Sequence, residues 1–272
     1  MDTQIRVIYC LCDDFLKSQH HQEDVQTRLS DAEVLTTALV AMLYFGGNFE
    51  KARLLLKSQR YMPGMLSRSR YNRRLHRAKH LLPQLFFILA ETWKALNEEN
   101  IYLVDSFPVP VCDNIRIIRS RRYQGELYRG YIASKRRYFY GIRIHLLVTR
   151  AGQPLEFFLT PGSASDIAEL PGFRLDLPEG AWLFADKAST NYQLEDSMLE
   201  AGIRFLPYRK KNSKRPLPPW WVYLQHHYRK MIETTGSLFE RLLPRSIHAV
   251  TQQGFELKIV LFILALSFSY LL

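Results

Sequence analysis

The chain has 272 residues, of which 47% are hydrophobic, a proportion that supplies a packed core and excludes an intrinsically disordered tail. Its 37 Lys and Arg residues exceed its 26 Asp and Glu residues, giving a formal net charge of +11 and a pI near 9.6, which favours a polyanionic partner such as nucleic acid. Three cysteines are too few for a disulfide framework and are consistent with a reducing cytoplasm.

The first hundred residues are predicted to be helical. Ser30 and Glu33 have the spacing of a capping box, and the apolar run from Val34 to Phe45 stops at a Gly46-Gly47 pair. This start and stop predict a buried helix. A shorter helix is expected over Phe49 to Lys57.

The next predicted helix, with Ser69 as its cap, carries a basic face. Arginines recur at i, i+3, i+4 and i+7, which places them on one side of a helix, at Arg70, Arg73, Arg74 and Arg77. Four cations without interleaved acids repel one another, so this face is better suited to DNA phosphates than to water alone. A merely solvated surface is the alternative.

A boundary between two domains is predicted near residue 97. Pro83 is expected to open a helix over Gln84 to Leu96, and the polar stretch Asn97 to Asn100 follows it. We therefore expect an all-helical N-terminal domain over residues 1–97 and a second domain over residues 98–272.

From residue 101 the pattern changes to strands with helices between them, which predicts a mixed α/β sheet. The predicted strands are Ile101–Val111, a hairpin of Tyr138–Thr149 with Pro154–Thr160, Ala181–Ala185 and Ile203–Pro207. The predicted helices are Tyr192–Ala201, Tyr228–Leu243 and Phe255–Leu272.

No targeting signal or membrane span is expected. The N-terminus lacks a basic segment followed by an apolar stretch, which argues against a signal peptide. The longest apolar run, Ile259 to Leu272, is shorter than the roughly 20 residues that cross a bilayer. It predicts a buried C-terminal helix.

Two aspartates follow apolar strands in the same way: Asp105 after Tyr-Leu-Val and Asp186 after Leu-Phe-Ala. An ionised carboxylate without a partner is costly to bury, so Asp105 is expected to face water at a strand end, to pair with a cation or to bind a metal. Capping of a turn at Pro108 and Pro110 is the alternative. If the two strands are neighbours, the two carboxylates share a hard divalent ion such as Mg²⁺.

A third acid is expected from another element, and Glu233 on the predicted Tyr228–Leu243 helix is the candidate. The alternative for Glu233 is an i, i+4 ion pair with Arg229.

Basic stretches surround these acids. Cations neutralise phosphates and interleaved tyrosines stack on exposed bases, so both stretches are candidate DNA contacts. The first stretch contains Arg116, Arg119, Arg121, Arg122, Arg129, Lys135, Arg136 and Arg137, with Tyr123, Tyr128, Tyr131, Tyr138 and Tyr140 between them, and the second is Arg209-Lys-Lys-Asn-Ser-Lys-Arg215. The candidate DNA contacts among them are Arg121, Arg122, Lys135, Arg136, Arg137, Arg209, Lys210 and Lys211. Acids for a metal beside cations for a backbone are what a nuclease or strand-transfer enzyme requires.

Several motifs, in order along nearly the whole chain, resemble the DDE transposases of bacterial insertion sequences, and most closely the insertion-sequence 982 family. These motifs are Ser67-Arg-Ser-Arg-Tyr-Asn-Arg-Arg-Leu-His76, Tyr102-Leu-Val-Asp-Ser-Phe-Pro-Val-Pro-Val-Cys112, Tyr138-Phe-Tyr-Gly-Ile-Arg-Ile-His-Leu-Leu147, Phe184-Ala-Asp-Lys187, Arg209-Lys-Lys-Asn-Ser-Lys214 and Tyr228-Arg-x-x-x-Glu233.

The resemblance implies a helical N-terminal DNA-binding domain over residues 1–97 and a ribonuclease H-like DDE catalytic domain over residues 98–272. Asp105, Asp186 and Glu233 would hold two Mg²⁺ ions, with Mn²⁺ as a substitute, and Arg229 would contact DNA. The implied reaction is cleavage of double-stranded DNA at the element ends followed by strand transfer into target DNA. A homodimer on DNA in the bacterial cytoplasm, associated with the nucleoid, is implied as well.

The chain departs from the family pattern at two places. In the wider group a Tyr precedes the Arg by three residues and a Lys follows the Glu by seven, whereas this chain has His226 and Glu240 there. After Asp186-Lys187, Ala188-Ser189 stands where Gly-Tyr is expected. Two alternatives therefore stay open: a metal-dependent nuclease on the same core, and a catalytically silent DNA-binding relic of a transposase.

Overall fold

The structure, a computed structural model, describes residues 1–113, 117, 120, 122–132, 136–164, 170–185, 191–207, 209, 213–216, 218–244 and 246–272. For residues 113, 170, 225, 226, 229, 231–233, 235, 236 and 238–240 it describes the backbone alone. The helices are α1 (Asp2–Ser18), α2 (Asp31–Phe45), α3 (Phe49–Ser58), α4 (Arg68–Ala78), α5 (Leu81–Ala95), α6 (Tyr192–Glu200), α7 (Pro219–Leu242) and α8 (Gln252–Ser269). The strands are β1 (Ile101–Asp113), β2 (Arg129–Ile132), β3 (Arg137–Thr149), β4 (Pro154–Pro161), β5 (Trp182–Ala185) and β6 (Arg204–Pro207).

The described residues form two compact units. The first combines Met1–Leu89 with Phe239–Leu272, and the second is Ala90–Leu238. The structure thus groups the C-terminal helix with the N-terminal helices, a relationship that the sequence-based division into residues 1–97 and 98–272 does not contain.

Helices α2 and α8 form the centre of the first unit. Both are apolar around most of their circumference and are in contact with each other, and such helices need partners on all sides. α8 is long and apolar enough to cross a membrane by composition alone, but 61% of it is buried inside the protein. It is a core helix, as its sequence predicts.

The ends of α2 confirm the sequence prediction. The Ser30 hydroxyl accepts a hydrogen bond from the Glu33 backbone N–H, and the Glu33 carboxylate accepts one from the Ser30 N–H. At the other end Gly46 adopts the left-handed conformation with φ of 55°.

Four predicted helix starts are wrong, including that of α8, which begins at Gln252 rather than at the predicted Phe255. α4 begins after Ser67 rather than after Ser69, so Ser69 lies inside the helix. α5 starts at Leu81, two residues before Pro83, because a proline in the first turn needs no hydrogen-bond donor. α7 starts at Pro219, nine residues before the predicted Tyr228, since a proline is favoured at the first helical position.

The second unit contains a six-stranded mixed sheet in the order β2-β3-β1-β5-β6, with β4 also paired to β3. Strands β1, β2 and β4 each run antiparallel to β3. β5 pairs in parallel with β1 and with β6, and helix α6 connects β5 to β6. A mixed sheet with flanking helices is therefore confirmed, as is the predicted β3–β4 hairpin.

Strand β1 runs through both of its prolines to Asp113, so the alternative in which Asp105 caps a turn at Pro108 and Pro110 is wrong. The backbone N–H of Trp182 donates to the carbonyl of Asn100. The backbone N–H and C=O groups of the even-numbered residues of β1 therefore point toward β5. The last described register pair between these strands is Val104 with Ala185. Beyond it the even positions have no described partner strand, and a proline there costs no ladder hydrogen bond.

Candidate active site

Asp105 lies within β1 rather than at its end, contrary to the expectation from sequence. It is half-buried, its register partner on β3 is Leu146, and its Oδ1 accepts a hydrogen bond of 2.7 Å from the backbone N–H of Ser106. The described pairing of β1 with β5 ends one residue before Asp105, at the pair of Val104 with Ala185. Asp105 is thus the first residue of β1 beyond the described part of its pairing with β5.

Helix α7 covers the face of the sheet to which Asp105 belongs. Register partners share a face, so Leu103 and Asp105 lie on the same side as Trp182 and Phe184 of β5. The ring of Trp221 stacks on Trp182 at 5.1 Å between centroids. The ring of Tyr228 lies 4.5 Å from that of Phe184.

These two ring contacts also fix the direction of α7. Trp182 precedes Phe184 on the strand, and Trp221 precedes Tyr228 on the helix, so α7 runs along β5 in the same direction. Glu233 lies on this helix, and only its backbone is described. Asp186 lies outside the described residues.

The opposite face of the sheet holds two polar residues beside the position of Asp105. Arg143 Nη1 donates to Ser106 Oγ at 3.0 Å. His145 is buried, lies 3.0 Å from Thr160 Oγ1 through its Nε2, and stacks on Phe158 at 4.6 Å. His145 is therefore a packed residue, as predicted. Arg143 was not among the predicted DNA contacts.

Helix α4 contains five arginines, and the four that were predicted to share a DNA-binding face do not form one free basic face. Arg70, Arg73 and Arg77 are exposed. Arg74 is half-buried, and its Nη2 lies 3.1 Å from Asp31 Oδ1 and 3.4 Å from Glu23 Oε2. Arg74 therefore connects α4 to the residues around the start of α2.

A second acidic group lies in the first unit. Ligand atoms of His21, Glu23 and Asp31 lie within 4.8 Å of one another, a spacing that suits a metal ion. His21 Nε2 is 2.9 Å from Asp31 Oδ2, and the Arg74 guanidinium already supplies a positive charge to both carboxylates. The group is an ion-pair network between helices and was not predicted from the sequence.

The first basic stretch presents an aromatic and cationic surface on the β2–β3 hairpin. The rings of Tyr131 and Tyr138 are 4.9 Å apart, and the Arg129 guanidinium lies 4.5 Å from the centre of the Tyr138 ring. Both tyrosines are about half exposed. Of the predicted DNA contacts here, Arg136 and Arg137 are exposed and Arg122 is half-buried, whereas Arg121 and Lys135 lie outside the described residues.

The second basic stretch is tied to α6 by ion pairs. Arg209 forms a two-pronged pair with Glu195 at 2.5 and 2.7 Å, and both side chains are largely buried. Its charge is therefore neutralised. Arg215 pairs with Asp196 in the same manner at 2.7 and 3.0 Å. Lys210 and Lys211 lie outside the described residues, and only the backbone of Arg229 is described.

Comparison with known proteins identifies the family. A family model described as Transposase DDE domain matches residues 95–244, which is more than half of the chain. The chain belongs to the DDE transposase family. The DDE match contains Asp105, Asp186 and Glu233 as well as the whole sheet.

Other comparisons add little. No curated protein matches the chain significantly. Among solved structures, a cryo-EM structure of a piggyBac transposase synaptic complex with hairpin DNA matches with a TM-score of 0.48 and 11% sequence identity. The match covers 98% of this chain and 72% of that chain. A likeness at this level does not bear on the function of the DDE domain described here.

Proposed function

We propose that this chain is a DNA transposase of the insertion-sequence 982 type that cuts double-stranded DNA at element ends and joins the freed ends to target DNA. Asp105, Asp186 and Glu233 are its catalytic carboxylates. The single observation that carries the proposal is the register of β1 and β5.

That register supports a close approach of the first two acids. Val104 and Ala185 are partners on neighbouring strands, which lie about 4.8 Å apart. Asp105 and Asp186 each follow by one peptide, so each Cα is about 3.8 Å from that of its predecessor. Two carboxylates that begin this close together are within reach of one shared cation.

The direction of α7 supports a contribution from Glu233. Glu233 follows Tyr228 by five residues, about 7.5 Å along a helix axis. Asp186 follows Phe184 by two residues, about 6.6 Å along an extended strand. Tyr228 contacts Phe184, and α7 and β5 run in the same direction. The two similar distances therefore favour positions for Glu233 and Asp186 at the same height along the strand direction.

The donor set fits a hard divalent cation, because three carboxylates supply the oxygen ligands that Mg²⁺ and Mn²⁺ prefer. Bound there, such a cation supplies Lewis acidity to the scissile phosphate and to the nucleophile. Asp105 is suited to this role because β1 and β3 hold its backbone rigidly and its side chain lies on the face covered by α7. The Ser106 N–H further orients its Oδ1.

A ribonuclease H-like core is part of the proposal. The antiparallel strands β1, β3 and β4 are extended by the parallel strands β5 and β6, with a helix between the last two. This order supports such a core, in which the acids of adjacent parallel and antiparallel strands meet near the middle of the sheet.

DNA backbone contacts are assigned to exposed cations. Arg70, Arg73 and Arg77 on α4 and Arg136 and Arg137 on the β2–β3 hairpin are exposed, whereas Arg209 is largely buried and its charge is cancelled by Glu195. Because transposition couples two DNA ends, we include a homodimer on DNA and a bacterial, nucleoid-associated location in the proposal.

The test is a cleavage and joining assay with Mg²⁺ and a labelled duplex that carries the inverted repeats flanking the coding region. Cleavage followed by joining supports the transposase, cleavage alone identifies a nuclease, and binding without a cut identifies a silent relic. Asp105→Asn should abolish cleavage and leave DNA binding intact. Cleavage that persists in this variant removes Asp105 from the active site.

A further inference from the structure

A cavity of about 580 Å³ lies within the first unit, and both chain segments of that unit line it. The N-terminal segment contributes the starts of α3 and α4, including Phe49 and Arg68. The C-terminal segment contributes the start of α8, including Thr251 and Lys258. We call it the α3–α8 cavity. It is far too large for a single water and includes several polar groups.

Lys258 is the main feature of the α3–α8 cavity. Its Nζ donates to the Gly47 carbonyl at 3.0 Å and lies 5.0 Å from the centre of the Phe49 ring. Among the residues that the structure describes, no carboxylate forms an ion pair with it. Burial lowers the pKa of Lys258 from its ordinary value. A half-buried ammonium that has no opposing charge is costly, and a bound anion would remove that cost.

The remaining charges of the α3–α8 cavity are consistent with an anionic ligand. Arg68 is exposed, and no ion pair to it exists within the described parts of the chain. His76 and His248 line the same cavity. Arg53 and Glu50 also line it, but they pair with each other and contribute no net charge.

Three helices begin at the rim of the α3–α8 cavity, and helix N-termini carry partial positive charge. Asn48 caps α3 by accepting from the Lys51 N–H, and Thr251 caps α8 by accepting from the Gly254 N–H. Ser67 makes no side-chain cap bond at the start of α4. These termini strengthen the field that the ammonium of Lys258 and the guanidinium of Arg68 already produce.

We propose that the α3–α8 cavity binds a backbone phosphate of DNA and makes the C-terminal helix part of the DNA-binding surface. A polyanion fits better than a free small anion because the cationic and polar lining of the cavity runs along one face of α4, from Arg68 to His76. These two residues are about 12 Å apart along the helix axis. That length covers about three to four phosphates of one strand.

The inference rests on the proposed action of the chain on DNA, but not on its three acids. The test is therefore equilibrium binding of a labelled duplex without divalent metal, so that no cleavage takes place. Binding is measured over a range of salt concentrations for the wild-type protein and for Arg68→Gln, Lys258→Gln and Lys57→Gln. Lys57 is an exposed cation of α3 that does not line the cavity and serves as the matched control.

Loss of one phosphate contact should reduce the slope of log affinity against log salt concentration by about 0.9. We expect that reduction, and a roughly three- to tenfold weaker affinity at moderate salt, for Arg68→Gln and for Lys258→Gln but not for Lys57→Gln. Arg68 is exposed, so its variant tests the cavity even if Lys258→Gln does not fold.

Three results would overturn the inference. Wild-type slopes in both cavity variants, with DNA binding otherwise intact, would remove the α3–α8 cavity from the DNA surface while leaving the proposed function standing. Inorganic phosphate that shifts the His76 and His248 imidazole NMR signals, together with those unchanged slopes, would identify a small-anion site. A wild-type protein that binds no duplex at all refutes the inference and the proposed function together, whereas loss of cleavage alone concerns only the acids.

Discussion

Val104 and Ala185 are register partners on neighbouring parallel strands, and an aspartate follows each of them in the chain. This relationship supports the proposal that two acids separated by 81 residues meet at one metal site (186 − 105 = 81). Helix α7 covers the face of the sheet to which Asp105 belongs, through Trp221 and Tyr228.

The contact between Tyr228 and Phe184 should be needed for catalysis. Tyr228→Ala removes a buried ring that holds α7 on β5, and we expect at least a tenfold loss of cleavage because the helix that carries Glu233 is no longer fixed. Tyr228→Phe keeps the ring and should cleave at nearly the wild-type rate. DNA binding and thermal unfolding are measured alongside, and a fully active Tyr228→Ala would show that α7 does not position the site.

Adjacent arginines on α4 should have different roles. Arg74→Gln breaks the ion pairs with Asp31 and Glu23 and should lower the free energy of unfolding by about 1–3 kcal/mol. Arg73→Gln should leave stability unchanged and reduce the salt dependence of DNA binding by about one phosphate. Chemical denaturation and binding isotherms distinguish the two, and the reverse outcome would contradict these assignments.

The ion pair of Glu195 with Arg209 should stabilise the second unit. Glu195→Gln leaves a largely buried guanidinium without its opposing charge, at a cost of about 2–4 kcal/mol. Asp196→Asn breaks the similar but exposed pair with Arg215 and should have a much smaller effect. Denaturant unfolding measures both. Equal effects would mean that burial does not set the strength of these pairs.

Lys258 should give DNA binding a distinctive dependence on alkaline pH. Its pKa lies below the ordinary value of 10.5 because it is buried, so the folded protein releases this proton earlier than the unfolded chain does. The free protein therefore gains stability from this group as the pH rises between the folded pKa and 10.5.

Affinity for DNA should move in the opposite direction, since the neutral amine no longer attracts a phosphate. We expect affinity to decline within that alkaline interval for the wild-type protein, and this component should be missing in Lys258→Gln. Parallel pH profiles of duplex binding measure the difference. Identical profiles for the two proteins would show that Lys258 is not in contact with DNA.

Local signals in the sequence predicted much of the fold. The capping box at Ser30 and the glycine stop at Gly46 specify α2 through hydrogen bonds within a few residues, and the structure contains both. The β3–β4 hairpin likewise follows from alternation and a short turn. In contrast, β1 continues through Pro108 and Pro110, because the side of the strand that lacks a partner cannot be deduced from local sequence.

Long-range contacts account for the other differences. The ion pairs of Arg74 and Arg209 join residues 51 and 14 positions apart in the chain, so charge patterns along one helix or loop do not indicate which cations are neutralised. The packing of α8 with α2 depends on tertiary burial in the same way. The sequence predicted Asp105, Asp186 and Glu233 as candidates, and their convergence stays a prediction.

Crystals of the protein grown with Mn²⁺ and examined by anomalous scattering test the central claim most directly. The account predicts an anomalous peak about 2.1 Å from a carboxylate oxygen of Asp105, with Asp186 and Glu233 as further ligands of the bound ions. A peak only at the His21, Glu23 and Asp31 group, or a Glu233 carboxylate far beyond ligand distance of a metal held by Asp105, would contradict it.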